Sequence, residues 1–119
     1  MDKVIILAGG KGSRMESNLP KVLHIINDET IINRIIKQVR KIDEYPIVVV
    51  GYKRDEVMKA IKSEVQYAVQ DEQLGTGHAV MSARKLCLDK RIKNIIVLPG
   101  DHPFINADSI QGLIDMHKA

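Results

Sequence analysis

Three glycines and three basic residues cluster near the start of the chain in a pattern that suits the binding of phosphate groups. They are Gly9, Gly10 and Gly12 with Lys11, Arg14 and Lys21. Glycine allows positive φ angles and lets backbone N–H groups approach a ligand closely, so that such a loop can form a concavity for anions. Lysine and arginine add positive charge and hydrogen-bond donors. We therefore interpret the segment from Leu7 to Lys21 as a polyphosphate-binding loop.

The apolar run Val4–Leu7 that precedes this loop has the length of a buried parallel strand and is too short for most helices. The loop then follows the carboxyl end of a strand, which is where open α/β sheets bind their ligands. It matches neither of the two standard glycine fingerprints. The order Gly10-Lys11-Gly12-Ser13 does not fit a Walker A loop, and Met15 stands in place of the third glycine of a dinucleotide-binding loop. A tight turn with solvated lysines is the alternative interpretation of the loop taken alone.

Three segments together resemble a known family. The signature of the sugar-1-phosphate nucleotidyltransferases is similar to Leu7-Ala8-Gly9-Gly10-Lys11-Gly12-Ser13-Arg14-Met15 followed by Leu19-Pro20-Lys21-Val22-Leu23. The uridine-binding and metal-binding segments of the bacterial N-acetylglucosamine-1-phosphate uridyltransferases resemble Gln70-x-x-Gln73-Leu74-Gly75-Thr76-Gly77-His78-Ala79 and Gly100-Asp101-x-Pro103. The three motifs occur in the family's order and span nearly the whole chain, which makes the match specific.

The resemblance implies the transfer of a nucleotidyl group from UTP to N-acetylglucosamine 1-phosphate, giving UDP-N-acetylglucosamine and pyrophosphate. By this resemblance, Arg14 and Lys21 are catalytic residues that contact the triphosphate. The implied nucleotide-binding residues are Leu7, Ala8, Gly9, Gly10, Lys11, Gly12 and Ser13 in the loop, with Gln70, Gly75 and Thr76 at the uracil. The implied cofactor is Mg²⁺, with Asp101 as its ligand.

The chemistry of such a reaction suits these residue types. The protein has to position the phosphates and neutralise charge on their oxygens, which cations and a bridging Mg²⁺ can do. Mg²⁺ often takes only one or two carboxylates together with water and substrate phosphates, so that a single aspartate is sufficient to begin a site. The structural alternatives are a surface lysine at Lys21, a turn-forming aspartate at Asp101 and a structural polar contact at His78, which we favour for the histidine.

Composition limits the class of protein. The 119 residues suit one domain, and with 45% hydrophobic but only 3% aromatic residues the core must consist of Ile, Val and Leu, which suits parallel strands. The net charge of +3 is spread without a dense basic stripe, so that we expect no nucleic-acid partner. The single cysteine, Cys87, excludes an internal disulfide, and we expect it to be packed in the core. Without a leader or a long apolar run, we expect a cytoplasmic protein that makes no contact with membranes.

Hydrophobic periodicity predicts alternating strands and helices. We expect buried strands at 4–7 and 47–51, further strands at 65–69 and 94–98, a turn at 27–30, and helices at about 30–41, 55–61, 76–88 and 106–117. The predicted helix N-caps are Thr30 or Asp28, Asp55, and Asn106 or Asp108. Continuously apolar strands that alternate with helices indicate a three-layer α/β/α fold, with a mainly parallel, Rossmann-like sheet.

In the family, later segments supply most contacts to the sugar phosphate and a second metal ligand. We therefore expect residues 1–119 to be the nucleotide-binding N-terminal part of a nucleotidyltransferase domain. Three alternatives stay open: a truncated gene product, a piece of a larger enzyme, and a non-catalytic module that binds nucleotide. A related nucleotidyltransferase with another nucleoside triphosphate or acceptor is also open. If the family's strand order holds, the strand 95–98 has an unpaired apolar edge, which favours a homo-oligomer or a complementing domain.

Overall fold

The computed structural model describes residues 2–10, 19–71, 76–102 and 105–118. The strands are β1 (Asp2–Leu7), β2 (Ile25–Ile26), β3 (Glu29–Thr30), β4 (Ile47–Val50), β5 (Gln66–Val69) and β6 (Asn94–Pro99). The α-helices are α1 (Ile31–Val39), α2 (Arg54–Ala60), α3 (Thr76–Ser82) and α4 (Ala107–Lys118). Two short 3-10 helices lie at Lys21–Leu23 and Arg84–Cys87.

Four strands form a parallel sheet in the order β5-β4-β1-β6. In the middle of β1, Ile5 is paired with Ile47 of β4 on one side and with Val97 of β6 on the other. The chain therefore adds strands first on one side of β1 and later on the other. A sheet of this kind has its ligand crevice at the carboxyl ends of the strands, where the strand order reverses.

The core lies on both faces of the sheet. Val4 and Ile6 of β1 are packed with buried residues of α1, α2 and α4, whereas the intervening Ile5 is packed with Ala79 and Ala83 on the other face, where α3 lies. This arrangement confirms the predicted three-layer, mainly parallel fold. Each fully buried Ile or Val side chain stabilises the fold by about 1.5–3 kcal/mol relative to an exposed one.

Helix α1 shows how the sequence specifies one of these layers. The Oγ1 atom of Thr30 accepts a hydrogen bond from the backbone N–H of Asn33, which confirms Thr30 as the N-cap. The buried residues of the helix recur at helical spacing and include Ile32, Ile35, Ile36 and Val39. The helix ends at Val39, two residues before the predicted end.

Several predicted boundaries need correction. The predicted helix 76–88 is interrupted after Ser82, and a 3-10 helix follows. Asp55 is not an N-cap: it lies inside the first turn of α2, and Lys53 occupies the cap position with a φ of 52°. At α4 the cap is Asn106, whose Oδ1 atom accepts a hydrogen bond from the N–H of Ser109.

The small β2–β3 hairpin was not predicted as strands. Each strand has only two residues, too few to show an alternating pattern, and only the turn between them was recognised. Asn27 and Asp28 have φ angles of 51° and 66°, as the two central residues of a type I′ hairpin turn require.

Strand β6 lies at one edge of the sheet in the part of the chain that the structure describes. Ile95 and Val97 on this strand are 50% and 38% exposed, so that the predicted apolar edge is present. The self-association that we predicted from it stays a prediction, and a monomeric mass in sedimentation at micromolar concentration would contradict it. Within the described ranges, no helix is both long enough and apolar enough to span a membrane.

Candidate functional site

The carboxyl ends of β1 and β6 are joined at the candidate site by a close backbone contact. The N–H of Gly100 donates to the carbonyl oxygen of Leu7 over 2.8 Å. A Cβ atom at position 100 would lie 2.5 Å from the same oxygen, so that only glycine fits. Because of this contact, the residue after Gly100, Asp101, lies beside the start of the glycine-rich loop.

The main chain of the loop is held firmly at its beginning. The N–H of Ala8 donates to the Val49 carbonyl over 2.8 Å, and the Gly9 carbonyl accepts from the N–H of Tyr52 over 3.1 Å. A Cβ atom on Gly9 would lie only 3.2 Å from the backbone nitrogen of Gly51, whereas one on Gly10 would meet no atom within 4 Å. The loop is therefore packed tightly against β4 at Gly9, whereas the space around Gly10 is open to a ligand.

Gln70, the first residue of the motif at 70–79, lies against the glycine-rich loop. It follows β5, its backbone N–H donates to the Val50 carbonyl over 2.8 Å, and the residue is only 5% exposed. Its Oε1 atom lies 3.1 Å from the position that a Cβ on Gly9 would occupy. Its Nε2 atom lies 3.3 Å from Nδ1 of His78. The amide of Gln70 thus lies between the loop and α3.

Lys21 lies on the short 3-10 helix that follows Pro20. The buried side chains of Val22 and Leu23 anchor this helix, while Lys21 itself is exposed. The Nζ atom of Lys21 lies 3.5 Å from Oδ2 of Asp101. The structure therefore brings a predicted catalytic residue next to the predicted metal ligand, at the carboxyl ends of the strands.

The donor set suits a metal ion that needs few protein ligands. Among the described residues, no group of three or more His, Cys, Asp or Glu side chains could hold a metal. Mg²⁺ commonly accepts one or two carboxylates and completes its octahedron with water and phosphate oxygens. The single carboxylate of Asp101, next to the start of the glycine-rich loop, fits that requirement.

Some predicted site residues cannot be placed. Those that lie outside the described residues are Lys11, Gly12, Ser13, Arg14 and Gly75. Thr76 is the first residue of α3, and its role at the uracil stays a prediction. The roles of Leu7, Ala8, Gly9, Gly10, Lys21, Gln70 and Asp101 also stay predictions, although the structure brings these residues to one edge of the sheet.

Sequence analysis missed the partner of His78. We expected a structural polar contact for this histidine, and the structure shows a polar contact with Gln70. The two residues belong to one predicted motif but are eight positions apart on different elements, so that no periodic pattern indicates their contact.

Among the described residues, Asp89 and Cys87 have shifted pKa values and lie away from the candidate site. Hydrogen bonds from Arg91 lower the pKa of Asp89 to about 2, and burial raises the pKa of the Cys87 thiol. Both residues precede the amino end of β6, whereas Asp101 follows its carboxyl end. They are therefore at the opposite end of the strand from the candidate site.

The chain is similar in sequence to known nucleotidyltransferases. Residues 4–119 match the model of the MobA-like NTP transferase domain family. The bifunctional protein GlmU of Streptococcus uberis is 42% identical over 114 residues, which cover 95% of this chain. GlmU of Clostridium novyi is 44% identical over 116 residues, which cover 96%. The chain spans 25% of the length of each of these relatives.

Solved structures share the fold. A nucleotidyl transferase from Methanothermobacter thermautotroptrophicus superposes with a TM-score of 0.84 at 21% identity, covering 97% of this chain and 57% of that protein. The 4-diphosphocytidyl-2C-methyl-D-erythritol synthase of Anaerococcus prevotii gives a TM-score of 0.74 at 15% identity, covering 98% and 51%. The resemblance inferred from the three motifs is thus confirmed, and the chain belongs to the family of MobA-like NTP transferase domains.

Proposed function

We propose that this chain carries the nucleotide-binding part of an enzyme that transfers a uridylyl group from UTP to N-acetylglucosamine 1-phosphate. The main support is the position of Lys21, 3.5 Å from Asp101, the residue after the Gly100 whose N–H donates to the Leu7 carbonyl. The similarity to GlmU proteins supports the choice of substrates.

In the proposed reaction, a phosphate oxygen of the sugar phosphate attacks the α-phosphorus of UTP. A new P–O bond forms, and the bond between the α-phosphorus and the bridging oxygen of the leaving pyrophosphate breaks. Negative charge grows on the phosphoryl oxygens and on the leaving group, where fixed cations stabilise it. Lys21 supplies one such cation, and Arg14 supplies a second by resemblance to the family.

Asp101 would hold the Mg²⁺ ion. When bound, Mg²⁺ neutralises phosphate charge and orients the triphosphate. Asp101 and Lys21 are 46% and 45% exposed at the side chain, so that phosphate oxygens and metal can reach both groups. An exposed ion pair of this kind contributes only about 0–1 kcal/mol, so that its separation costs little when the nucleotide binds.

The base would lie against the loop and Gln70. Uracil carries an imide N–H between two carbonyl oxygens, and a carboxamide offers both an acceptor and a donor to such an edge. Gln70 is buried and lies against Gly9, which fixes its amide near the main chain that we assign to the nucleotide. Backbone groups of Gly75 and Thr76 complete this proposed uracil site.

Calorimetric titration of the 119-residue chain tests the proposal. UTP, CTP, ATP and GTP are added separately, with and without Mg²⁺, and pyrophosphate release is then measured after N-acetylglucosamine 1-phosphate is added. We expect selective binding of UTP in Mg²⁺, followed by release of pyrophosphate. Binding of UTP without release would instead favour a non-catalytic nucleotide-binding module, and the absence of binding would contradict both.

A further inference from the structure

We propose that His78 is a positioning residue that sets the orientation of the Gln70 amide and thereby makes the site prefer uracil to cytosine. This inference rests on the proposed function, because it takes Gln70 as the residue that contacts the base. It assigns to His78 a role in nucleotide selection without direct contact between the histidine and the nucleotide.

The first step is the fixed position of Gln70. Its backbone is held by the hydrogen bond to the Val50 carbonyl, and its side chain is buried. The two ends of a carboxamide have nearly the same shape, so that packing alone does not distinguish the oxygen from the nitrogen. The polar atoms around the amide decide its orientation instead.

The second step is the contact with His78. Nδ1 of His78 lies 3.3 Å from Nε2 of Gln70. A neutral imidazole with its proton on Nε2 has an acceptor at Nδ1, and the amide nitrogen is the matching donor. In this tautomer, which the inference assigns to His78, an amide rotated by half a turn would place its oxygen against the acceptor Nδ1 and lose the hydrogen bond.

The third step is the direction of the oxygen. With its nitrogen held by His78, Gln70 directs Oε1 to Gly9, where it lies 3.1 Å from the position of a Cβ atom. The side of the amide next to the glycine-rich loop is therefore an acceptor. Uracil has a donor at N3, whereas cytosine has an acceptor there, so that an acceptor facing N3 favours UTP.

Two substitutions test the inference. His78→Phe keeps a planar ring and removes the acceptor, whereas His78→Asn can place an oxygen where Nδ1 lies. Calorimetry gives the dissociation constants of UTP and CTP for the full chain and both variants. We expect His78→Phe to reduce the preference for UTP by roughly fivefold to tenfold, as the loss of one hydrogen bond predicts, and His78→Asn to restore it.

A purely structural role would weaken the binding of both nucleotides equally, so that an unchanged ratio of dissociation constants in His78→Phe would overturn this inference alone. Equal affinity of the parent chain for UTP and CTP would contradict the proposed uracil site as well. An independent measurement needs no variant: ¹⁵N spectra of histidine-labelled protein should show that the neutral imidazole of His78 carries its proton on Nε2 and not on Nδ1. A protonated Nδ1 would also overturn the inference.

Discussion

The ammonium group of Lys21 lies 3.5 Å from the carboxylate of Asp101, across the carboxyl edge of the sheet. These residues belong to different sequence motifs, one after β1 and one after β6, and meet because β1 and β6 are neighbours in the sheet. Their charges balance each other in the structure. A triphosphate would compete for Lys21, and a metal ion would compete for Asp101, so that one substrate complex engages both.

Lys21→Ala should abolish pyrophosphate release while preserving the fold. Loss of a group that stabilises transition-state charge commonly lowers kcat by about 10²–10³. The thermal midpoint should change little, because an exposed ion pair contributes about 0–1 kcal/mol. Lys37→Ala is the matched control, since it removes an exposed lysine paired with Glu29 outside the site. An unaffected rate in Lys21→Ala would remove this residue from the mechanism.

Asp101→Ala should weaken the binding of UTP in the presence of Mg²⁺ but not in its absence, where the loss of the carboxylate frees Lys21 for the triphosphate. The physical reason is that only the metal-bound complex uses the carboxylate. Calorimetric titration at a series of Mg²⁺ concentrations measures the effect. Asp89→Ala, which removes a carboxylate at the other end of β6, serves as the control. If the magnesium dependence of Asp101→Ala equals that of the parent chain, Asp101 is not a ligand.

Gly100→Ala should destabilise the protein, because the new Cβ would lie 2.5 Å from the carbonyl oxygen of Leu7. Relief of such a contact requires the ends of β1 and β6 to separate, and overpacking of this kind typically costs about 1–3 kcal/mol. Gly112→Ala is the matched control within α4, where the added atom meets nothing within 4 Å. This control should stabilise the helix by up to about 1 kcal/mol. Urea denaturation measures both variants, and equal stabilities would show that the contact is not restrictive.

Asp43→Ala should destabilise the protein more than Lys3→Met. The Asp43 carboxylate accepts hydrogen bonds from Nζ of Lys3 at 3.2 Å, the N–H of Val4 at 2.9 Å and the N–H of Tyr45 at 3.1 Å. Removing one partner of a buried ion pair costs about 3–5 kcal/mol. In Lys3→Met the carboxylate keeps its two backbone donors, so that the loss is smaller. Urea denaturation at neutral pH tests the order, and the reverse order would contradict it.

The thiol of Cys87 should react slowly with iodoacetamide at pH 8 in the native protein. Burial raises its pKa above the usual value of 9.0 and so lowers the fraction of reactive thiolate. The reaction should accelerate when urea unfolds the chain. Because folding raises the pKa of the Cys87 thiol, the protonated thiol contributes to the free energy of unfolding below the unfolded pKa. This contribution is lost as the pH rises through the folded pKa. Equal rates in the folded and unfolded chain would contradict the predicted shift.

Local residue patterns were sufficient to predict most strands and helices and the residue types that could carry chemistry. Continuous apolar runs specified the buried strands, as at β4, and helical spacing with Thr30 as a cap specified α1. Glycine and basic residues after β1 predicted an anion-binding loop, and an aspartate after β6 predicted a metal ligand; both stay predictions. Such features were predictable because they depend on residues that are close in the chain.

The contacts between these residues depend on the packing of distant segments. The place of β6 beside β1 brings Asp101 to Lys21, and the end of β5 brings Gln70 to Gly9. Lys3 of β1 is buried next to Asp43, which neutralises its charge. These contacts join segments far apart in the chain. Such contacts depend on how the helices cover both faces of the sheet. Short-range patterns in the sequence do not predict that packing.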